Sequence, residues 1–160
     1  MGLEVGQNSY ITVAEADEII ASRFMSISNE RKLWNSLSEE DKGILIVTTT
    51  EKYDNDNMMY KGTKVDKEQA LQFPRIINGK VVDCPETIKA GLIMQCIKDL
   101  LANSSEEESL KNMGVKSFAD GSGARIEFSD KATCNSLNID NKIWKQYFST
   151  WSEYGKFIAL

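Results

Sequence analysis

The sequence predicts a mainly α protein: a bundle of four to five helices, with a β-hairpin near residues 115–128 and an aromatic C-terminal arm. Three observations lead to that class. Apolar residues recur at three- and four-residue steps in several stretches between residues 13 and 102, the spacing of a helix face. Ser, Thr, Asp or Pro stands where each of these stretches begins. Beyond them the period drops to two, because Ala124, Ile126 and Phe128 alternate with Arg125 and Glu127.

Each element has its own justification. Thr12 is an N-cap with Glu15 three residues on, the spacing of a capping box, and Tyr10 or Ile11 can staple back onto the first turn. Val13, Ala16, Ile20 and Phe24 then form one face of a helix from Val13 to Phe24. Ser28 caps a short second helix through Leu33 and Trp34. Ser38-Glu39-Glu40-Asp41 opens a third, reaching about Tyr53, with Leu45, Thr48 or Thr49, and Tyr53 on its face. The run Thr48-Thr49-Thr50 weakens helix propensity, so a strand over Ile44–Thr50 stays open as an alternative.

Asn55 to Lys64 reads as a loop, and Asp66 with Gln69 as the start of a short helix that Pro74 ends. Ile76 to Val82 reads as a small hairpin over Asn78-Gly79. Pro85 suits the first position of a helix running to about Ala102. Its stripe of Ile88, Leu92, Cys96 and Leu100, broadened by Ile93, Ile97 and Leu101, predicts the central core element. Next, Val115 to Phe118 lies opposite Ala124 to Phe128 across Asp120-Gly121-Ser122-Gly123. An isolated hairpin is marginal in water, so this one must dock on its own domain or pair with another chain. The chain therefore divides into a helical core (1–103), a loop and hairpin (104–137) and an arm (138–160), one domain overall.

Composition narrows the function. With 41% hydrophobic and 27% charged residues, 160 residues can build a core. No apolar run approaches the ~20 residues of a membrane span, and no charged and apolar leader opens the chain. The expected setting is the cytoplasm, or a particle assembled there. The net charge of −5, from 19 basic and 24 acidic residues, counts against a dedicated nucleic-acid binder. Glu106-Glu107-Glu108 and Asp54-Asn55-Asp56 are solvated loop charge or, more sharply, an acidic wall beside a DNA passage. Three cysteines (Cys84, Cys96, Cys134) and no histidine leave too few ligands for structural zinc and predict free thiols, with Cys96 in the core.

No catalytic constellation emerges. Without histidine there is no Ser-His-Asp or Cys-His pair. No phosphate-binding loop or dinucleotide fingerprint is present. Glu39-Glu40-Asp41 complements a helix dipole rather than a metal, and Asp54, Asp56 and Asp66 lack the EF-hand spacing. The expectation is a non-enzyme with no cofactor and no metal. Tyr10, Trp34 and Phe73, beside Arg23, Arg31, Lys32 and Arg75, could stack bases as single-strand binders do. Their positions at helix ends among Leu and Ile favour packing instead, with Arg75 paired to a carboxylate.

Two spellings go further than composition. Asn8-Ser9-Tyr10-Ile11-Thr12-Val13-Ala14-Glu15-Ala16-Asp17, followed by Arg23-Phe24 and Trp34, is one. Gln69-Ala70-Leu71-Gln72-Phe73-Pro74-Arg75, then a turn and Pro85-x-x-Ile88-Lys89, is the other. In this order they resemble a group of small tailed-phage proteins, the DnaT-like single-stranded-DNA-binding proteins, which are similar to head-tail connector (adaptor, head-completion) proteins. The resemblance spans roughly residues 6–103.

It implies a structural virion protein of the neck, assembled in the host cytoplasm. Subunits would form a ring, commonly twelve-fold, between portal and tail, extending the channel for passing double-stranded DNA and meeting a tail-side connector or tail terminator protein. A replication accessory protein binding single-stranded DNA is the alternative. For the connector, the expected interface residues are Lys116, Phe118, Arg125, Ile126, Glu127 and Phe128 of the hairpin, with Trp144, Tyr147, Phe148, Trp151, Tyr154 and Phe157 of the arm. Trp144, Phe148 and Trp151 fall at steps of four and three, which would align them on one helical face.

Overall fold

A computed structural model describes residues 2–55, 58–104, 117–119, 125–127 and 140–153. Helix α1 (Val13–Arg23) begins at the capping box: the Glu15 amide donates to Thr12 Oγ1 at 3.2 Å, and Glu15 Oε2 accepts from the Thr12 amide at 2.7 Å. Those bonds hold the Glu15 carboxyl below its ordinary value, the Thr12 amide contributing most. Ile11, just before the cap, is wholly buried. Helices α2 (Asn29–Ser36) and α3 (Glu39–Tyr53) start from Ser28 and Ser38, each of whose hydroxyls accepts an amide of the first turn.

In α3 the helix prevails over the strand alternative. Thr48 Oγ1 donates to the Ile44 carbonyl at 3.0 Å and Thr50 Oγ1 to that of Ile46 at 2.8 Å, so these β-branched side chains satisfy their hydroxyls on the preceding turn. Its buried face is Lys42, Gly43, Ile46, Thr49, Thr50 and Tyr53. Leu45, expected on that face, is only partly buried, and Thr48 is exposed.

Helix α4 (Glu86–Ser104) is the central element and packs against α1, α2 and α3. Ile88, Leu92, Ile93, Cys96 and Ile97 are buried as their spacing predicts. Gln95 is buried too, and acts as a polar bolt: its Oε1 accepts from Tyr53 Oη at 2.8 Å and from the Asp140 amide at 3.3 Å, and its Nε2 donates to Asp99 at 2.6 Å.

The C-terminal segment closes over α4. Asp140 caps a turn at Asn141–Ile143, which continues as a π-type turn (Trp144–Phe148) and a 3₁₀ turn (Ser149–Trp151). The i→i+5 turn breaks the α-helical register, so the aromatics do not share one exposed stripe. Phe148 is wholly buried and stacks on Tyr53 at 4.2 Å between centroids. Tyr147 is buried as well, while Trp144 and Trp151 are partly buried against the same core. Tyr147 and Phe148, expected at a partner interface, are buried against their own chain.

Between α3 and α4 lies an antiparallel sheet of β1 (Thr63–Lys64), β2 (Arg75–Ile77) and β3 (Lys80–Val82). Asn78 and Gly79, with φ of 51° and 75°, make the type I′ turn that the Asn-Gly pair predicts. Strand β1 stands at the end of what the sequence presents as loop. A Cβ at Gly62 would lie 2.0 Å from the Ile76 carbonyl oxygen, so only glycine admits that pairing. The short helix expected after Asp66 does not form. The Asp66 amide does donate to Gln69 Oε1, but Gln69 Nε2 is drawn onward to the carbonyls of Leu71 and Pro74, which keeps the chain in turns.

Strands β4 (Ser117–Ala119) and β5 (Arg125–Glu127) pair antiparallel, Phe118 opposite Ile126, as the alternation predicts. Lys116, Phe128, Tyr154 and Phe157 lie outside the described residues. Among the described residues no helix is long and apolar enough to cross a membrane.

Gly91 makes the closure of the C-terminal segment possible, because a Cβ there would meet Phe148 Cε2 and Tyr147 Cβ at 2.6 Å each. Gly91→Ala is expected to destabilise the fold by about 1–3 kcal/mol through overpacking. Urea unfolding checks this, and an unchanged midpoint would refute it.

Candidate functional site

The two spellings that stand out in the sequence meet in space. Asn8 bridges the entry segment, its Oδ1 accepting from the Glu4 amide at 2.7 Å and its Nδ2 donating to the Gly2 carbonyl at 2.9 Å. Ser9 Oγ closes a tight turn on Ile11, donating to its carbonyl at 2.8 Å and accepting its amide at 3.1 Å. Tyr10 reaches across to the end of α3, where its hydroxyl donates to Asp54 Oδ1 and accepts from the Phe73 amide at 3.2 Å. Asp54 Oδ2 accepts from the Gln72 amide at 2.9 Å. One half-buried carboxylate thus ties the first spelling to the second.

Arg75 is 7% exposed, and carbonyl oxygens surround it. Its Nε donates to Lys61 O at 2.9 Å, Nη2 to Tyr60 O at 3.1 Å and Gly62 O at 2.7 Å, and Nη1 to Gln72 Oε1 at 2.7 Å. The expected carboxylate partner is replaced by backbone, because the rigid fork of a guanidinium can satisfy several carbonyls of one loop at once. Tyr60 and Phe73 meet edge to face beside it at 5.2 Å, and the Phe73–Pro74 bond is cis.

Trp34 is wholly buried; its Nε1 donates to Asp17 Oδ1 at 2.7 Å. Lys42 Nζ donates to the same oxygen at 2.9 Å and stands 5.4 Å from the indole centroid. Tyr10, Trp34 and Phe73, the candidate stacking platform, are therefore core residues. Of the accompanying cations, Arg75 is consumed within its loop. Arg23 Nη1 donates to Tyr147 Oη at 3.1 Å, and Arg31 Nη1 to the Phe24 carbonyl at 3.2 Å. Lys32 is exposed.

The electrostatics agree with a structural role. Burial pushes the Tyr10 hydroxyl far above its ordinary range, with Asp54 next in effect, so it remains a donor. Burial also raises the Asp54 carboxyl, outweighing its two hydrogen bonds. Cys96 is wholly buried, donates to Thr49 Oγ1 at 3.3 Å and is pushed up to about 12 by burial, so it stays an inert thiol. Cys84 is raised by burial in the same way. Among the described residues no group of acids and thiols is placed to hold a metal ion.

Sequence reasoning missed Asp54, Gln95 and Gly91. Asp54 reads as one acid in a loop cluster, Gln95 interrupts an apolar stripe, and Gly91 sits inside a helix. That interior glycine was the one usable signal, since a helix accepts its cost where a close approach requires it.

Of the expected interface residues, Trp144, Tyr147, Phe148 and Trp151 gather around α4, and Trp151 Nε1 donates to Thr87 Oγ1 at 2.8 Å. The backbones of Phe118, Arg125, Ile126 and Glu127 lie in the β4–β5 pair.

Two tests follow. Arg75→Lys is expected to cost more than about 2 kcal/mol, because an ammonium cannot serve the carbonyls the guanidinium leaves; a urea midpoint within error of wild type would contradict it. The raised Asp54 value means the folded state holds its proton at pH values where the unfolded chain has lost it. Its contribution to stability therefore falls as pH rises from the ordinary carboxylate value through the raised one. Asp54→Asn is expected to remove that fall, read as the difference between the two proteins' stability–pH curves, and parallel curves would contradict it.

A family model described as "Putative DnaT-like ssDNA binding protein" matches residues 3–112. No curated protein and no solved structure matches the chain. The description is that of a binding protein, not of an enzyme. The matched stretch holds both spellings and the Tyr10–Asp54–Gln72 tie between them, and covers more than half of the 160 residues. The chain belongs to this DnaT-like family.

Proposed function

We propose that the chain is a non-catalytic binding protein whose partners are proteins of a phage head-tail junction, where it serves as a connector subunit. The observation that carries this reading is where the side chains go. The aromatics and the arginine that could have held a nucleic acid face inward, whereas Met25 and Ile27, which take no part in the core, stand 72% exposed on the turn between α1 and α2. Large apolar side chains displayed on a turn suit contact with protein surface. The net charge of −5 suits it as well. The ring, the portal and tail-side partners, and the neck location belong to this proposal, which rests otherwise on the resemblance of the two spellings.

A second reading has its own support. The family description names single-stranded DNA, and favours it over the connector. Lys61, Lys64, Lys67 and Lys80 lie on or beside the small sheet and could follow a phosphate backbone. Lys61 and Lys64 already donate to the carbonyls of Thr150 and Gln69, which leaves Lys67 and Lys80 the more available, both exposed.

Titration of a labelled oligothymidylate separates the two. A connector is expected to bind no tighter than about 10 µM at ~0.15 M salt, the range of non-specific phosphate contact. Tighter binding with a steep salt dependence, weakened by Lys67→Glu and Lys80→Glu, would overturn the connector reading in favour of the second. Recovery of the protein in purified virions would support the connector.

A further inference from the structure

Among the described residues, two surfaces at opposite ends of α1 are left exposed. At its C-terminal end, Met25 and Ile27 project from the turn, each 72% exposed. Arg23, Arg31 and Lys32 flank them in the chain, with one acid, Glu30, in the same stretch. The turn is held in place: Arg31 Nη1 bonds the Phe24 carbonyl at 3.2 Å, the Ser28 amide donates to the Met25 carbonyl at 2.9 Å, and Arg23 is tied to Tyr147. This is an apolar knob set among cations.

At the N-terminal end, Leu3, Val13, Gly43 and Ile44 line a cleft of about 250 Å³, with Glu39 and Glu40 on its rim. Ile44 is 51% exposed, and neighbouring Val5 52%. Gly43 helps keep the cleft open, because it presents no side chain where α3 passes Leu3. Lys42, the adjacent cation, is turned away into its bond with Asp17. This is an apolar socket rimmed by carboxylates, and its room suits a side chain the size of Ile or Met.

We propose that the knob of one chain seats in the socket of a second copy, with Ile27 or Met25 in the cleft and Arg31 and Lys32 against Glu39 and Glu40. Charge complementarity selects this occupant: a socket with an acidic rim repels most of this acidic chain and accepts its basic turn. The 11-residue α1 separates knob from socket by about 16 Å, so the contact joins different patches of the two copies. Used head to tail, this contact grows into a closed ring or an open filament; exchanged reciprocally between two copies, it closes a two-fold dimer. The inference rests on the assembly reading and adds to it the surfaces through which copies meet.

Sedimentation equilibrium of the full chain tests it, using Met25→Ser with Ile27→Ser as the knob variant and Glu39→Lys with Glu40→Lys as the socket variant. All four residues are exposed, and helical circular dichroism confirms that each variant folds. Wild type is expected to associate with rising concentration, and each variant at least ~30-fold more weakly, the loss typical of removing an interface anchor. An equimolar mixture of the two variants retains one intact knob and one intact socket. It is expected to give a one-to-one dimer that grows no further. Wild type remaining monomeric up to ~1 mM would overturn the proposal and leave both surfaces to a different protein. Wild-type association that both variants retain would overturn it while leaving the assembly reading, tested by virion content, untouched.

Discussion

Asp54 is a carboxylate drawn out of water at the end of α3, and the meeting of the three segments around it organises the first half of the chain. Tyr10 comes from the entry to α1, the Gln72 amide from the turn before β2, and Asp54 itself from the helix between them. Removing a carboxylate from water costs several kcal/mol unless donors replace the solvent, so the chain must bring those donors to it. Arg75 applies the same logic with the opposite sign, as a buried cation solvated by the carbonyls of Tyr60, Lys61 and Gly62. A loop that reads as featureless is thereby pinned, and β1 can pair with β2. The C-terminal segment reaches the same loop, through Lys61 N–H to Trp151 O at 2.8 Å and Ser152 Oγ to Met58 O at 2.5 Å.

This arrangement explains what the two spellings do in this chain. Asn8, Ser9 and Thr12 shape the entry to α1; Tyr10 and Phe73 share a hydrogen bond; Asp17 holds Trp34 and Lys42. Each of these side chains is used inside the molecule. A signature of this kind identifies a fold. Among the described residues no buried side-chain nitrogen or oxygen is left without a partner, which is how such a polar core remains compatible with stability.

Much of the fold was legible in local pattern. Thr12, Ser28 and Ser38 start their helices because a hydroxyl at the cap needs only a neighbouring amide, and Asn78-Gly79 makes its turn because both residues tolerate positive φ. The stripe on α4 was equally plain. What stayed hidden depends on distant partners. Thr49 rather than Thr48 faces inward because Cys96 lies across from it, and Arg75 is filled by carbonyls about fifteen residues back in the chain. The aromatic arm misleads for the same reason. Its spacing suits one α-helical face, but Gly91 and Tyr53 offer a seat for Phe148, and a π-type turn brings it there. The site was less legible than the fold, because aromatics beside arginines look alike in sequence whether they stack on bases or on each other.

The most direct measurement is urea unfolding of Trp34→Phe and Tyr10→Phe, paired with oligothymidylate binding by the same proteins. If the signature serves the fold, each midpoint drops by the equivalent of about 1 kcal/mol or more at unchanged slope, since Asp17 and Asp54 each lose a donor, and binding to the oligonucleotide is the same as wild type. Unchanged midpoints together with lost binding would contradict that assignment and place these side chains at the nucleic acid.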